Sequence, residues 1–338
     1  MRQEKQMWVA AVALATALTW GSLGAANGQK LDMRPPLFHH LHLNSVDPDA
    51  ALAFYTAQFP TTSKASWAGF PALKSPNDVM VLFTKVNRAP PRLPQSAIWH
   101  FGWHVTDSRA TVEEFKHRPE VKLAPLYREE AGGEIFVSSD TWPNIGNTLG
   151  LTKAQIAEAK AKHAEPTRVG GFSYMYAPEE TLIEIAGNHP QERFNHVHMW
   201  QEDPFCALIW YQKHLNAPLR PGYDGTTLTE ANCKVPRHPD RTWPALKQEG
   251  MFRTPRAGVE FGDVSMMWYA NQGSAPLVSP LGQLQDHIAL SVGDLDAWID
   301  KLKGEGVKFL DGPYRLGDTR AVMIEGPSKE ALELVEIK

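Results

Sequence analysis

The sequence predicts an α+β protein made of four repeated modules, each a strand, a helix and further strands. Three observations carry that reading: a histidine-led segment that occurs four times, an aspartate at a fixed distance behind each histidine, and a longer match between the first and third copies. The segments open at His40, His100, His196 and His287, and Asp47, Asp107, Asp203 and Asp294 each follow seven residues later. Asp47-Pro48 with Ala51, Leu52 and Tyr55 recurs 156 positions on as Asp203-Pro204 with Ala207, Leu208 and Tyr211. Repetition of this kind marks an architecture assembled from like units.

Each copy reads as a strand running into a helix, with the aspartate as N-cap and, at Pro48 and Pro204, proline in the first helical position. In the fourth copy Leu295, Trp298, Ile299 and Leu302 fall on one helical face, and Gly304 and Gly306 supply the stop. Apolar runs at 79–83, 172–176, 182–185, 264–269, 321–324 and 332–337 read as the strands that follow the helices. Loops at 87–96, 186–192 and 271–282 separate the modules, and the middle one predicts a boundary between two domains, 38–188 and 192–338. The second module is longer than the fourth by about 38 residues, counted from its histidine to its last-strand glutamate, which places an insertion at about 118–170. Within it, 152–165 is rich in alanine, lysine and glutamate and reads as an exposed helix.

Lys and Arg number 34 against 38 Asp and Glu, a net charge of −4, so there is no basic surplus to neutralise a phosphate backbone and no nucleic acid partner is expected. Two cysteines, Cys206 and Cys233, are too few for a disulfide framework or a thiolate zinc cluster and leave one bridge open. At the N-terminus no charge stands between Lys5 and Lys30. The apolar run 7–20 is followed by small residues up to Ala26. That is the pattern of a signal peptide covering 1–26, too short in its apolar core for a ~20-residue span. The expectation is a periplasmic or secreted protein with no stable membrane span after processing; an uncleaved anchor is the alternative.

Two glutamates close matching elements: Glu184 ends Pro178-Glu179-Glu180-Thr181-Leu182-Ile183-Glu184, and Glu333 ends Pro327-Ser328-Lys329-Glu330-Ala331-Leu332-Glu333. Four modules with a histidine opening the first strand and a proline six residues before a last-strand glutamate resemble the vicinal oxygen chelate superfamily. That superfamily comprises glyoxalase I, the bleomycin and fosfomycin resistance proteins and the extradiol ring-cleaving dioxygenases. The resemblance covers about residues 38–338. It implies βαβββ modules paired into two vicinal-oxygen-chelate domains, each a cupped sheet around a divalent metal. Its ligands would be His40, His100 and Glu184 in the first pair of modules, and His196, His287 and Glu333 in the second. Two imidazoles and one carboxylate leave neighbouring coordination positions for a substrate with adjacent oxygens. Such a set suits Fe(II) first, with Mn, Zn or Ni as alternatives.

His42 and His198 lie two residues beyond His40 and His196, and Gly102 and His104 two and four beyond His100, on the same strand faces. They are candidates for acid–base work or for orienting ligands, the alternative being solvent-facing or simply hydrogen-bonded histidines. Tyr174 and Tyr176, just before Pro178, resemble the extradiol signature. There the sequence departs from the family, with Glu180 in place of a glycine and Ala321 where the second half would carry a tyrosine. His42, His104, Tyr174 and Tyr176 are therefore the candidate catalytic side chains. Trp99, Trp103, Trp200, Trp210, Trp268 and Trp298 either line an aromatic pocket or fill the core. The expected activity is extradiol-type ring cleavage of a small substrate with vicinal oxygens. The alternatives are a glyoxalase-like isomerase or lyase and a non-catalytic small-ligand binder, and the sequence leaves a homo-oligomer open.

Overall fold

In the computed structural model the described residues are 33–123, 127–129, 135–137, 148–149, 161–162, 172–187, 189–220, 227–234, 251–252, 256–271 and 275–337. The expected signal segment and all but two residues of the expected helix at 152–165 lie outside them.

The elements follow the repeat. The first module holds β1 (Leu37–Ser45), α1 (Pro48–Gln58), β2 (Ser63–Trp67), β3 (Phe70–Lys74) and β4 (Met80–Lys85). The second holds β5 (Ile98–His104), α2 (Ser108–Lys116), β6 (Lys122–Leu123), β7 (Phe172–Tyr176) and β8 (Leu182–Ala186). The third holds β9 (Arg193–Gln201), α3 (Pro204–Leu215), β10 (Arg256–Phe261) and β11 (Val264–Ala270), and the fourth β12 (Gln285–Val292), α4 (Leu295–Gly304), β13 (Phe309–Leu316), β14 (Thr319–Glu325) and β15 (Ala331–Glu336). Asp47, Asp107 and Asp294 cap their helices by accepting the backbone N–H three residues on, at 2.9 to 3.0 Å. Asp203 makes no such side-chain bond, though its carbonyl accepts the first helical N–H, from Ala207, as the other three aspartates' carbonyls do. On α4 the four apolar side chains are all buried, each contributing roughly 1.5–3 kcal/mol.

Two sheets carry the fold. One has eight strands in the order β13-β14-β15-β12-β1-β4-β3-β2, the other seven in the order β10-β11-β9-β5-β8-β7-β6. Every first strand pairs in parallel with the last strand of its own module, β1 with β4, β5 with β8, β9 with β11 and β12 with β15. Its other edge takes a first strand from another module, antiparallel: β1 with β12 and β5 with β9. Each sheet therefore joins modules from both halves, first with fourth and second with third.

This corrects the expected domains 38–188 and 192–338. The expected boundary falls inside one sheet, because β8 ends at Ala186 and β9 begins at Arg193 and both pair with β5. A first strand with one free edge accepts any like strand, so hydrophobic periodicity cannot choose the partner. The short 186–193 connection sets modules two and three side by side, as consecutive elements tend to be, and the first and fourth modules close each other's edges. Residues 33–338 accordingly form one compact unit.

The sheets share a core on the faces away from the cups. Phe194 bridges it, 5.3 Å from Phe38 and 5.5 Å from Phe101, and Phe59 at the end of α1 lies 4.8 Å from Trp103. Trp103, Trp200, Trp268 and Trp298 are buried there, with Trp210 packed against it, while the buried ring of Trp99 also lies 4.2 Å from that of His100. Reciprocal ties join the sheets beyond the core. Ser45, ending β1, donates to Glu179 at 2.8 Å in the turn before β8, and Gln201, ending β9, donates to Glu330 at 2.8 Å in the turn before β15. Each turn contains left-handed residues, Glu179 and Glu180 in one (φ 56° and 58°) and Lys329 in the other (φ 66°). A glycine at 180 would meet that geometry without strain; here Glu180 is held by Arg92 instead.

Candidate metal centres

Both cups gather imidazoles and a carboxylate at the same place in the repeat. In the eight-stranded sheet His42 stands opposite His287, His40 opposite Ala289, and Ala289 beside Glu333. In the seven-stranded sheet His198 stands opposite His100, His196 opposite Gly102, and Gly102 beside Glu184. Irregularities in pairing flank both His-x-His pairs, between Phe38 and His40, His42 and Leu43, Phe194 and His196, and His198 and Met199. The result is two clusters of equivalent composition: His40, His42, His287 and Glu333, and His100, His196, His198 and Glu184.

The sets expected from the resemblance do not form. His40 lies with Glu333 and not with His100 and Glu184, and His196 lies with Glu184 and not with His287 and Glu333. The cause is the exchange of modules between the sheets. His42 and His198, expected to act behind the ligands, stand among the donors.

The geometry fits a divalent cation. Glu184 Oε2 is 3.1 Å from His100 Nε2, 3.3 Å from His198 Nδ1 and 3.6 Å from His196 Nε2. Ligands at about 2.1 Å from one ion stand roughly 3.0–3.4 Å apart, depending on coordination angle. In the other cup Glu333 Oε2 is 3.5 Å from His40 Nε2 and 3.8 Å from His287 Nε2, while donor atoms of His40, His42 and His287 lie within 4.8 Å of one another. All eight side chains are buried. His40 Nε2, His196 Nε2, His198 Nδ1, His287 Nε2 and Glu333 Oε2 have no hydrogen-bond partner. Buried polar atoms are normally satisfied, so lone pairs converging on one point mark a place for an ion.

The opposite ring nitrogens are held. His287 Nδ1 donates to Asp286 Oδ1 at 2.6 Å, His196 Nδ1 to Asn195 Oδ1 at 2.6 Å, and His40 Nδ1 meets His39 Nδ1 at 2.8 Å. His42 Nε2 meets the Thr84 hydroxyl at 2.7 Å, leaving Nδ1. The residue before His40, His196 and His287 thus holds the ring of that histidine, a signal readable in the sequence as the polar neighbours His39, Asn195 and Asp286. Burial, with help from neighbouring imidazoles, holds His40 and His198 well below the ordinary histidine range and His42 down at about 3, so these rings are neutral, as metal ligands must be. Burial pushes the Glu184 carboxyl up, but His196, His198 and the bond from His100 outweigh it and hold the group well below its usual range. Glu333 is pushed up, by burial first, with the like charge of Asp286 adding to it.

The remaining candidates sit further out. Tyr174 is registered opposite Glu184, its ring 5.0 Å from His100. Tyr176 is two register positions further along, beneath Lys122. His104 accepts from Asn195 Nδ2 at 2.7 Å and stacks on His189 at 4.5 Å, so it reaches His196 only through Asn195. In the eight-stranded cup the tyrosine missing at Ala321 is supplied one strand out: Tyr314, paired with Ala321, donates to Glu333 Oε1 at 2.5 Å. Aromatic rings line both cups: Trp67, 5.4 Å from His40, and Phe70, 4.8 Å from His42, in the eight-stranded sheet, and Trp99, one of the six expected tryptophans, 4.2 Å from His100 in the seven-stranded sheet.

Residues 193–334 match the model of the Glyoxalase/Bleomycin resistance protein/Dioxygenase superfamily. Among solved structures, glyoxalase I from Zea mays aligns with 16% identity over 89% of this chain and 92% of its own, with a TM-score of 0.56. A putative dioxygenase from Bacillus subtilis aligns with 11% identity over 90% of this chain and 86% of its own, with a TM-score of 0.52. At these identities the likeness is one of fold. No curated protein sequence matches the chain.

Proposed function

We propose that this chain, whose residues 193–334 match the glyoxalase, bleomycin resistance protein and dioxygenase superfamily model, is a divalent-metal-dependent isomerase or lyase of that superfamily acting on a small substrate bound through adjacent oxygens. One observation carries the reading: three buried imidazoles and one buried carboxylate converge in each cup. Four protein donors in a six-coordinate set leave two positions, the number that a pair of adjacent substrate oxygens fills. A divalent ion held by these residues would supply Lewis-acid polarisation of those oxygens. The protein's part is to hold the rings in place through Asn195, Asp286, His39 and Thr84, and to offer the carboxylates as the nearest proton acceptors. The nitrogen-rich donors suit Fe(II), Zn, Ni or Mn better than Mg or Ca.

Extradiol-type ring cleavage is the second reading, and Tyr174 beside His100 is what favours it. It needs a further open position for O2, so one of the four donors would have to stand aside. Export is also part of the proposal. The Cys206–Cys233 disulfide is a bond that persists in oxidising compartments. Among the described residues no helix is long and apolar enough to cross a membrane.

Elemental analysis of the purified chain, followed by a screen of 2-oxoaldehydes, hydroxy ketones and catechols with Fe(II), Zn(II), Ni(II) and Mn(II), tests the assignment. Isomerisation without O2 uptake supports the first reading. O2 consumption with a catechol replaces it by the second, and a chain that retains no divalent ion is a binding protein.

A further inference from the structure

The two clusters share their donors but not what stands behind them. At the position before the strand histidine, Asp286 in the fourth module corresponds to Trp99 in the second, and His39 in the first to Asn195 in the third. Asp286 is an additional carboxylate. It receives His287 Nδ1 at 2.6 Å on Oδ1, and Gly282 N at 2.6 Å and Asn44 Nδ2 at 3.1 Å on Oδ2. None of those donors is a lysine or an arginine. In the other cup Trp99 offers no carboxylate at that position, and the support behind His196 is the neutral amide of Asn195.

The cup walls differ in the same sense. Ser265 stands opposite His196, accepts from Arg220 Nε at 3.1 Å and donates onward to Glu260 at 3.3 Å. Its counterpart opposite His40 is Met80, which packs with Leu82 and the rings of Trp67 and Phe70.

We infer that the two centres are chemically unequal: with a divalent ion, the Glu333 centre is charge-neutralised by Glu333 and Asp286, while the Glu184 centre keeps one net positive charge and is the one that takes an anionic ligand chelating through adjacent oxygens. The inference rests on the reading of both clusters as divalent-metal centres. A carboxylate behind a ligating imidazole strengthens that ligand, and its loss typically costs about 10–100-fold in metal affinity. The Glu333 centre is therefore the tight site. The Glu184 centre, with one carboxylate fewer among the described residues, holds its ion less tightly and retains charge for an anion.

The test is calorimetric titration of the demetallated full chain with Zn(II), repeated with oxalate added to the loaded protein as a probe anion with adjacent oxygens. Thermal melts verify that each variant folds. Two classes of Zn(II) site differing by at least roughly tenfold are expected. Asp286→Asn should weaken only the tight class, by about 10–100-fold. The reciprocal variant keeps the test open should Asp286→Asn fail to fold: Asn195→Asp adds the missing carboxylate, and should tighten the weak class and weaken oxalate binding by about tenfold or more. Oxalate should bind at one equivalent and be lost in His198→Ala. Two indistinguishable Zn(II) classes, or oxalate binding that survives His198→Ala, would overturn the inference. Failure to bind Zn(II) at either cluster would overturn the metal reading beneath it as well.

Discussion

Gly102 lies directly beneath the ring of His196: a Cβ on Gly102 would stand 1.9 Å from His196 Cε1 and 2.2 Å from Nε2. No real side chain tolerates that approach, so the imidazole holds its position only because residue 102 has no side chain. Gly102→Ala is expected to displace His196 and empty the Glu184 centre, leaving the Glu333 centre intact. Metal content of the purified variant checks this: one ion per chain instead of two, with an unchanged far-UV spectrum.

The exchange of modules changes what a paired histidine replacement does. His196 and His287, one set by sequence position, belong to different centres, so His196→Ala with His287→Ala should impair both. His40→Ala with His287→Ala should strip the Glu333 centre alone. Metal stoichiometry of the two double variants decides between these outcomes, and a single remaining ion in the first would contradict the observed pairing.

Much of this was legible in the chain. The offset between His40 and His196, the aspartates behind them and the proline-glutamate elements mark local features that each module forms by itself. What they could not mark is which modules meet, because β1 and β9 present the same free edge to any like strand. The ligand roles of His42 and His198 were hidden for a related reason. A strand face shows that two histidines point the same way, while the distance of the second from the carboxylate depends on the partner strand. Tyr314 is not legible at the family's position, which is Ala321 here, because its hydroxyl comes from the neighbouring strand.

Acid should weaken the metal-free protein through its buried neutral histidines. Burial lowers His39 and His104 to about 4 and His42 to about 3, against an ordinary value of 6.5. Between those values the unfolded chain binds protons that the folded chain refuses. The stabilisation is complete above about 6.5 and is lost as pH falls toward 4 and then 3. Thermal melts of the metal-free protein from pH 7.5 to 4.5 should show a falling midpoint, and His39→Gln with His104→Gln should flatten the curve.

The Cys206–Cys233 bond ties α3 to the segment at 227–234 across 27 residues of sequence. Closing a loop of that length restricts the unfolded chain by about 3–4 kcal/mol on the chain-entropy account. Cys206→Ser with Cys233→Ser should therefore lower stability by up to that amount in denaturant titrations. A thiol assay of the native unreduced protein should find no free cysteine.

The two glutamates should prove unequal in turnover. Glu184 lies within 3.6 Å of three imidazoles and is the carboxylate among that centre's described donors, so Glu184→Gln leaves those donors neutral. Glu333→Gln leaves Asp286 beside His287, and it alters the centre that the charge balance makes less suited to an anionic substrate. Glu184→Gln is expected to reduce turnover by roughly 100-fold or more, while Glu333→Gln keeps most of it. The comparison requires a substrate from the screen and equal metal loading, read by elemental analysis beside the rate. A dead Glu333→Gln with an active Glu184→Gln would move the chemistry to the cup lined by Trp67 and Phe70. The aromatic wall there would then be the feature that selects the substrate.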